Sequence, residues 1–265
     1  MTQIGEFMKY KKLISEIKKK NPKVAIILGS GFADAIRLED SVEYDYNKLG
    51  LKFSSVGGHS RKMIVGTYKG VSTIIISRIH YYESGDSKNV FRLYGLLYEI
   101  GIEKLILTTA TGGINEEFEA GDLMLIRSHI NQTGTNPLIA IEPIKFIDVN
   151  KAYDQKLLDT AKKAAKRLKI KLYEGIHIQV SGPSYETFAE VNAFRRMGAD
   201  TVSMSTALDV ICASYFDMKV LAFAGVTNKA LTEQSTGISH EEVLQVGEHI
   251  AKNFAKIIDG IWLKI

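Results

Sequence analysis

The chain of 265 residues is 45% hydrophobic and 24% charged, which is the composition of an ordinary globular protein. Its 34 basic and 30 acidic residues are interleaved and leave a formal net charge of +4, and we find no basic stripe or motif that predicts a nucleic-acid partner. The single cysteine, Cys212, excludes an internal disulfide and a multi-cysteine metal site, and its apolar neighbours indicate a buried structural thiol. The sequence shows neither a signal peptide nor an apolar run of about 18 residues. We therefore expect a cytoplasmic protein with no membrane partner.

The first predicted elements are a helix and a buried strand. Residues 4–20 form an amphipathic pattern, and Val24–Leu28 is the fully apolar run typical of a strand inside a parallel sheet. Gly29, Ser30 and Gly31 follow the strand directly. A glycine turn lets backbone N–H groups approach an anion closely, and the Ser30 hydroxyl adds a donor. The alternative is a plain turn that binds nothing, which these three residues favour when they are taken alone.

A strand predicted at 73–77 leads into a polar run that contains Arg78, His80 and Tyr82. Alternation along an extended segment places these three side chains on one face. Arginine is the preferred bidentate donor to phosphate, so the run predicts a site for an anion and hydroxyl groups, with a solvated strand edge as the alternative. Glu83 is placed to accept a hydrogen bond from His80 and so to determine its tautomer.

The middle of the chain alternates strands and helices without a repeat or a linker, which predicts a single α/β domain over residues 1–265. Residues 110–115 are predicted to form a glycine-rich turn suited to an approaching ligand. The remaining predicted elements are a strand at 63–65, a helix at 89–100 closed by Gly101, strands at 105–109 and 122–127, a helix at 152–169, strands at 172–180 and 219–226, and a last helix that begins with a capping box at 239–242.

The stretch 179–209 predicts two strand-to-helix junctions. A strand ends near 181–184, a helix runs to about 197 and is closed by Gly198, and a short strand at 201–204 precedes a second helix. Glu186 lies at the first junction and Ser205 at the second. In an open α/β sheet such junctions fall at the carboxyl ends of strands, where ligands bind. The alternative is that Ser184 and Ser205 are only helix caps.

Together these motifs resemble the trimeric purine nucleoside phosphorylases, the family that also includes methylthioadenosine phosphorylase. The resemblance implies one α/β domain with a mixed, barrel-like sheet flanked by helices, and a homotrimer with active sites near subunit boundaries. The matching motifs follow the family's order: ILGSG at 27–31, GGH at 57–59, RIHYYE at 78–83, ATGGIN at 110–115, SGPSYETFAE at 181–190, GAD at 198–200, MST at 204–206, VTNKA at 226–230 and SHEEVL at 239–244.

The resemblance also implies the roles of individual residues, with His80, Glu186 and Asn228 as the catalytic side chains. It implies no metal and no cofactor, because inorganic phosphate is a co-substrate. Phosphate would be held by Ser30, Arg78, His80, Ser205 and the backbone N–H of Ala110, with His59 close by. Ribose would be held by Tyr82 and Met204, with His240 toward the 5′ end. The purine would be bound by Glu186 and Asn228 and would pack against Tyr185, Val202, Thr111 and Gly112.

Several positions depart from the family's pattern. Thr111 stands in place of the usual alanine, Ser203 in place of a glycine, and Tyr185 in place of a common phenylalanine. The loop at 139–147 is shorter than usual. Phe146 in that loop matches a later, structural phenylalanine of the family rather than the one that many members insert into a neighbour's ribose site.

The reaction implied is the reversible phosphorolysis of 6-oxopurine ribo- and deoxyribonucleosides, such as inosine and guanosine, to the free purine and (deoxy)ribose 1-phosphate. Because phosphate is itself the nucleophile, no serine triad or metal cluster is required. One alternative is methylthioadenosine phosphorylase, which normally carries aspartate at the position of Asn228. Another is a catalytically silent nucleoside- or phosphate-binding protein, against which the joint presence of Arg78, His80, Glu186 and Asn228 argues.

Overall fold

The computed structural model describes residues 10–51, 61–230 and 240–264, apart from the side chains of residues 240–244 and 248. The described residues form nine strands and six α-helices. The strands are β1 (Val24–Leu28), β2 (Glu39–Asp45), β3 (Lys62–Tyr68), β4 (Val71–Ser77), β5 (Lys104–Gly113), β6 (Leu123–Gln132), β7 (Tyr173–Val180), β8 (Thr201–Ser203) and β9 (Lys219–Lys229). The helices are α1 (Lys11–Lys19), α2 (Ser87–Ile100), α3 (Gln155–Leu168), α4 (Phe188–Arg196), α5 (Ala207–Tyr215) and α6 (His240–Ile261).

All nine strands belong to one mixed sheet that closes partly on itself. Its order is β2-β3-β4-β1-β5-β8-β7-β6-β9, and β9 pairs back with β5. The five strands from β5 to β9 therefore form a closed ring, and β1 to β4 extend it on one side. Parallel pairs, such as β1 with β5, occur beside antiparallel pairs, such as β5 with β8. The expected fold, a mixed barrel-like sheet flanked by helices, is confirmed.

The helices cover the sheet and bury its apolar strands. Helix α2 packs on α1 and α5, and α3 packs on α6, which lies against β9. All five residues of β1 are buried because the strand lies inside the sheet with its faces covered. Cys212 is fully buried in α5, as predicted. Within the described residues, no helix has the length and apolar character needed to span a lipid bilayer.

The helix ends explain how the two strand-to-helix junctions are built. Gly101 and Gly198 adopt left-handed φ angles of 104° and 88°, as predicted for residues that close helices. Helix α4 is capped by Thr187, whose hydroxyl accepts from the N–H of Glu190 at 3.3 Å. Helix α5 follows Thr206, whose own N–H is bonded by the carboxylate of Asp209 at 2.9 Å. The reading of Ser184 and Ser205 as helix caps is therefore wrong, because the threonines occupy those positions.

Three expectations about local structure need correction. The turn predicted at 110–115 is largely strand, because β5 continues to Gly113 in parallel pairing with β9. Strand β2 escaped prediction because most of its residues are exposed and it pairs only with β3 at the edge of the sheet. The run from Arg78 to Tyr82 is not one extended face, since a 3-10 helix begins at Tyr81.

Phe146 also differs from its expected structural role, because 98% of it is exposed. The loop that carries it is anchored by its neighbours: Lys145 Nζ donates to the carbonyl of Tyr215 at 3.0 Å, and the Tyr215 hydroxyl donates to the carbonyl of Pro143 at 3.2 Å. With residues 143 and 145 bound to the end of α5, Ile144 and Phe146 are left exposed, at 72% and 98%.

Candidate active site

A cavity of about 310 Å³ opens where β1, β5, β8 and β9 end or approach their ends. This size falls within the range of small-molecule sites. Its position at the strand ends agrees with the junctions predicted from the sequence. Twelve of the predicted site residues line it: Ser30, His80, Tyr82, Ala110, Thr111, Gly112, Tyr185, Glu186, Val202, Met204, Ser205 and Asn228.

Three predicted residues do not line the cavity in the described structure. His59 and the side chain of His240 lie outside the part of the chain that is described. Arg78 lies behind the cavity wall, with its side chain 1% exposed. It reaches the cavity through Ser205, whose Oγ accepts from Arg78 Nη1 at 2.5 Å.

Arg78 is held in place by a buried carboxylate. Its Nε lies 3.2 Å from Asp209 Oδ2, and the hydroxyl of Tyr94 donates to Asp209 Oδ1 at 2.9 Å. The other terminal nitrogen, Nη2, is buried and has no hydrogen-bond partner among the described residues. A buried guanidinium donor is costly to leave unbonded, so an acceptor-rich anion beside Ser205 fits this environment.

The backbone next to Ser205 is strained. Thr206 has φ 93° and ψ −49°, a conformation that a β-branched residue rarely adopts. The bond from its N–H to Asp209, at 2.9 Å, helps to hold this conformation. Such strain is concentrated at functional sites, where the surrounding structure fixes the residue. Asp209 thus anchors both Arg78 and the turn that carries Ser205.

His80 and Tyr82 form a second polar wall. Glu83 Oε1 accepts from the backbone N–H of His80 at 2.9 Å and lies 3.1 Å from His80 Nδ1, which confirms the predicted contact. The His80 ring stacks on that of Tyr82 with centroids 4.9 Å apart. Burial, together with the charge of Glu83, raises the pKa of Tyr82 to about 12, so its phenol is neutral and can donate to a hydroxyl group.

The cavity lining also includes a carboxyl group, from Glu186, and an amide, from Asn228. Glu186 directly precedes the cap of α4, and burial raises the pKa of its carboxyl, with the charge of Glu190 adding to the effect. Asn228 lies one residue before the end of β9, where its Nδ2 donates to the carbonyl of Lys229 at 3.1 Å and its Oδ1 accepts from Thr227 at 3.1 Å. These two side chains provide an acceptor and an adjustable amide for a polar ring.

Two of the three substituted positions, Thr111 and Ser203, carry hydroxyl groups that are bonded differently, although both residues line the cavity. The hydroxyl of Thr111 donates to the carbonyl of Gly225 at 3.2 Å, so its added polar group is bonded within the sheet. The hydroxyl of Ser203 lies 3.0 Å from Thr109 Oγ1 and 3.1 Å from His177 Nε2.

Sequence reasoning missed His177, Thr109 and Asp209. Asp209 was detectable, because Thr206 with an acid three residues later is a capping-box pattern. His177 had no such signal, since its partners Thr201 and Ser205 are 24 and 28 residues away in the chain. No group of three or more His, Cys, Asp or Glu side chains that could hold a metal ion occurs in the described part of the chain.

Comparison with known proteins agrees with this geometry. Residues 23–262 match the model of the Phosphorylase superfamily. The chain is 40% identical over 249 residues to purine nucleoside phosphorylase 1 of Bacillus subtilis, covering 91% of this chain and 92% of that protein. It is 33% identical over 261 residues to purine nucleoside phosphorylase of Bos taurus, covering 93% of this chain and 90% of that protein.

Solved structures show the same fold. The crystal structure of Schistosoma mansoni purine nucleoside phosphorylase in complex with inosine has a TM-score of 0.87 and 29% identity, with 98% of each chain covered. The structure of a schistosoma purine nucleoside phosphorylase with hypoxanthine has a TM-score of 0.88, and that of the Schistosoma mansoni enzyme with adenosine a TM-score of 0.87, both at 29% identity over 98% of each chain.

Proposed function

The chain belongs to the Phosphorylase superfamily as a purine nucleoside phosphorylase, and from this premise we propose that its substrates are 6-oxopurine ribo- and deoxyribonucleosides such as inosine and guanosine. Inorganic phosphate would convert them reversibly to the free purine and (deoxy)ribose 1-phosphate. One observation carries the proposal: a single cavity is lined by Ser205, which is bonded to the buried Arg78, and by Glu186 and Asn228.

The phosphate would bind beside Ser205. Arg78 and Ser205 supply donors that are already in place, and Ser30, His80 and Ala110 line the same cavity. Donors oriented before the reaction stabilise charge at little cost of reorganisation. Because phosphate is the nucleophile, no side chain has to form a covalent bond, and we propose that the enzyme uses no cofactor and no metal.

The sugar would lie between phosphate and base, with Tyr82 and Met204 at its hydroxyls. Breaking the glycosidic bond builds positive charge on the sugar and negative charge on the departing purine. Phosphate beneath the sugar stabilises the first charge, and the amide of Asn228, donating to N7 or O6, stabilises the second. His80, whose Nδ1 lies 3.1 Å from Glu83 Oε1, would act at the phosphate.

Glu186 supports the preference for 6-oxopurines. An ionised carboxylate only accepts, and a 6-oxopurine offers it N1–H, with the 2-amino group added in guanine. Adenine presents a bare N1 lone pair, which leaves a partly buried carboxylate unpaired. A site built to bond a donor rejects the analogue that lacks it strongly.

The second candidate is activity on 6-amino nucleosides, including methylthioadenosine. The solved structure of the Schistosoma mansoni relative with adenosine shows that this fold can hold a 6-aminopurine. Asn228 argues against methylthioadenosine as the main substrate, since that branch of the family normally has aspartate there.

The experiment is a phosphate-dependent assay with inosine, guanosine, adenosine and methylthioadenosine. We expect turnover of the first two to exceed that of the other two by about a hundredfold or more in kcat/KM. Turnover should require phosphate and be unaffected by a chelator. Release of free ribose, equal use of adenosine, or restoration of chelated enzyme by zinc or magnesium would refute the proposal.

We also propose a cytoplasmic homotrimer. Ile144 and Phe146 are exposed on an anchored loop, and large apolar side chains grouped on a surface mark contacts with other molecules. A second copy of this chain is the occupant that the resemblance to the trimeric purine nucleoside phosphorylases implies. Sedimentation of the purified protein tests the assembly.

A further inference from the structure

A row of hydroxyl groups along the cavity wall connects the buried His177 to Ser205. Ser203 Oγ lies 3.1 Å from His177 Nε2 and 3.0 Å from Thr109 Oγ1. Thr109 Oγ1 lies in turn 2.9 Å from Ser205 Oγ. His177 is fully buried, whereas Ser203 and Ser205 line the cavity. The row therefore begins in the core and ends where a ligand would touch the protein.

The role of His177 is determined by a carbonyl. The backbone oxygen of Ser205 lies 3.1 Å from His177 Nε2, and because a carbonyl can only accept, Nε2 carries the hydrogen. His177 Nδ1 then accepts from the hydroxyl of Thr201 at 3.0 Å. Burial lowers the pKa of His177 to about 3, so the ring is neutral and has this one hydrogen only.

The role of Ser205 toward Arg78 is equally determined. A guanidinium can only donate, and Arg78 Nη1 lies 2.5 Å from Ser205 Oγ. Ser205 is thus an acceptor on that side. Its single hydroxyl hydrogen can be directed either to Thr109 or into the cavity.

Ser203 lies between these two ends. Its oxygen shares the single Nε2 hydrogen of His177 with the carbonyl of Ser205, and it also accepts from the backbone N–H of Ser205, at 3.3 Å, so its own hydrogen must be donated. The nearest acceptor for that hydrogen is Thr109 Oγ1, at 3.0 Å, since the carbonyl of Ser205 lies farther away, at 3.3 Å. Thr109 can then donate to Ser205 at 2.9 Å, which is closer than the carbonyl of Ala110 at 3.2 Å. Each hydroxyl then donates to the next one in the order Ser203, Thr109, Ser205, and the hydrogen of Ser205 is directed into the cavity.

We propose that Ser203 is a positioning residue for the oxyanion that Ser205 binds. Ser203 accepts from His177 and donates to Thr109, and Thr109 donates to Ser205, so that the hydroxyl hydrogen of Ser205 points into the cavity. The inference rests on the proposed phosphate site and assigns the group that orients its donor. The family's pattern has glycine at position 203, and glycine supplies no hydroxyl. The arrangement therefore depends on Ser203, a residue at which this chain departs from that pattern. Hydrogen bonds aligned in one direction also strengthen one another.

The first test is Ser203→Ala with steady-state kinetics in both substrates. We expect the KM for phosphate to rise about tenfold, because the Ser205 hydroxyl is no longer oriented toward the phosphate and one hydrogen bond to a charged ligand is lost. The KM for inosine should stay within about twofold, because the base and ribose groups are untouched. The control is Ser214→Ala, which removes a hydroxyl bonded to the carbonyl of Val210 at 2.8 Å on α5 and should change neither KM.

Two outcomes would overturn the proposal: an unchanged KM for phosphate in folded Ser203→Ala, or equal increases in both KM values. A second pair of variants separates orientation from packing. His177→Gln keeps a neutral N–H donor and should retain more phosphate affinity than His177→Leu, which lacks one. Equal phosphate KM values in these two variants would contradict the assigned direction.

A third measurement needs no turnover. Nitrogen-15 NMR of the imidazole should show His177 protonated at Nε2 and not at Nδ1, and the opposite tautomer would overturn the inference whatever the activity. Absence of phosphate-dependent turnover in the unmodified enzyme would instead refute the proposed function.

Discussion

Gly31, which follows Ser30 in the turn after β1, packs backbone to backbone against Gly247 of helix α6. A Cβ atom added to Gly247 would lie 2.6 Å from the Cα of Gly31. Gly31 itself has φ of 79°, a left-handed conformation that favours glycine. The contact places the last helix directly against the loop that we assign to phosphate, so the position of Ser30 depends on a residue more than two hundred positions away.

Gly247→Ala should therefore disturb phosphate use although residue 247 does not line the cavity. We expect a loss of about 1–3 kcal/mol in the free energy of unfolding, typical of overpacking, and a raised KM for phosphate. Gly260→Ala is the matched control in the same helix, because the nearest atom to its added Cβ is the mobile end of Arg167, at 3.0 Å. The measurements are thermal unfolding and the KM for phosphate in both variants. Equal stability and equal KM values in the two variants would contradict the proposed dependence of the phosphate loop on Gly247.

Arg78→Ala should weaken phosphate use far more than purine binding. It should also destabilise the fold by about 3–5 kcal/mol, because Asp209 would be left buried without its partner. The double variant Arg78→Ala with Asp209→Asn should recover part of that stability but not the phosphate affinity, because the unpaired buried charge is removed. Arg37→Ala, at a side chain 84% exposed, is the control and should change neither quantity. Denaturant unfolding and the phosphate KM measure the two effects, and a variant with normal phosphate KM would contradict the assignment.

The preference for 6-oxopurines should decline as the pH is lowered. Burial raises the pKa of Glu186, so its carboxyl protonates at a higher pH than that of an exposed glutamate. At neutral pH the ionised form accepts from N1–H of inosine; the protonated form, which grows as the pH falls toward the raised pKa, can donate to N1 of adenosine. We expect the ratio of kcat/KM for inosine over adenosine to fall between neutral and mildly acidic pH. In Glu186→Gln the ratio should be lower and independent of pH, and a constant ratio in the unmodified enzyme would argue against this role.

Asn228→Asp should shift the base preference. Aspartate offers an acceptor to a 6-amino group, or a proton to N7 when it is protonated, but no longer the amide donor that serves a 6-oxopurine. We expect the variant to lose activity on inosine and gain some on adenosine in the same phosphate-dependent assay. If inosine turnover survives, the departing base is stabilised by another group.

Phe146→Ser should weaken the assembly without unfolding the protomer. The side chain is 98% exposed and contributes little to the core of its own chain. Sedimentation should therefore show a lower mass at low protein concentration, with an unchanged unfolding midpoint measured under conditions where both proteins are dissociated. Leu263→Ser, at a residue 87% exposed at the other end of the chain, is the control and should leave the mass unchanged.

Much of the fold could be predicted because local rules and tertiary packing agree. The apolar run of β1, the glycines that close α2 and α4, and the order of strands and helices all depend on short-range chemistry visible in the chain. Twelve of the residues lining the cavity were also predicted, since they follow strands and belong to motifs whose resemblance to a family covers nearly the whole chain.

The order of residues along the chain was enough to place particular side chains at the strand ends, but the contacts among those side chains depend on how the whole chain packs. Arg78 meets Ser205 127 residues away, and His177 meets Ser203 26 residues away, across strands whose pairing is set by barrel closure. Residues 110–113 look like a turn locally because glycine favours turns, yet they become strand because β9 supplies hydrogen-bond partners. Contacts between distant segments follow from packing the whole chain, and no local pattern of residues records them.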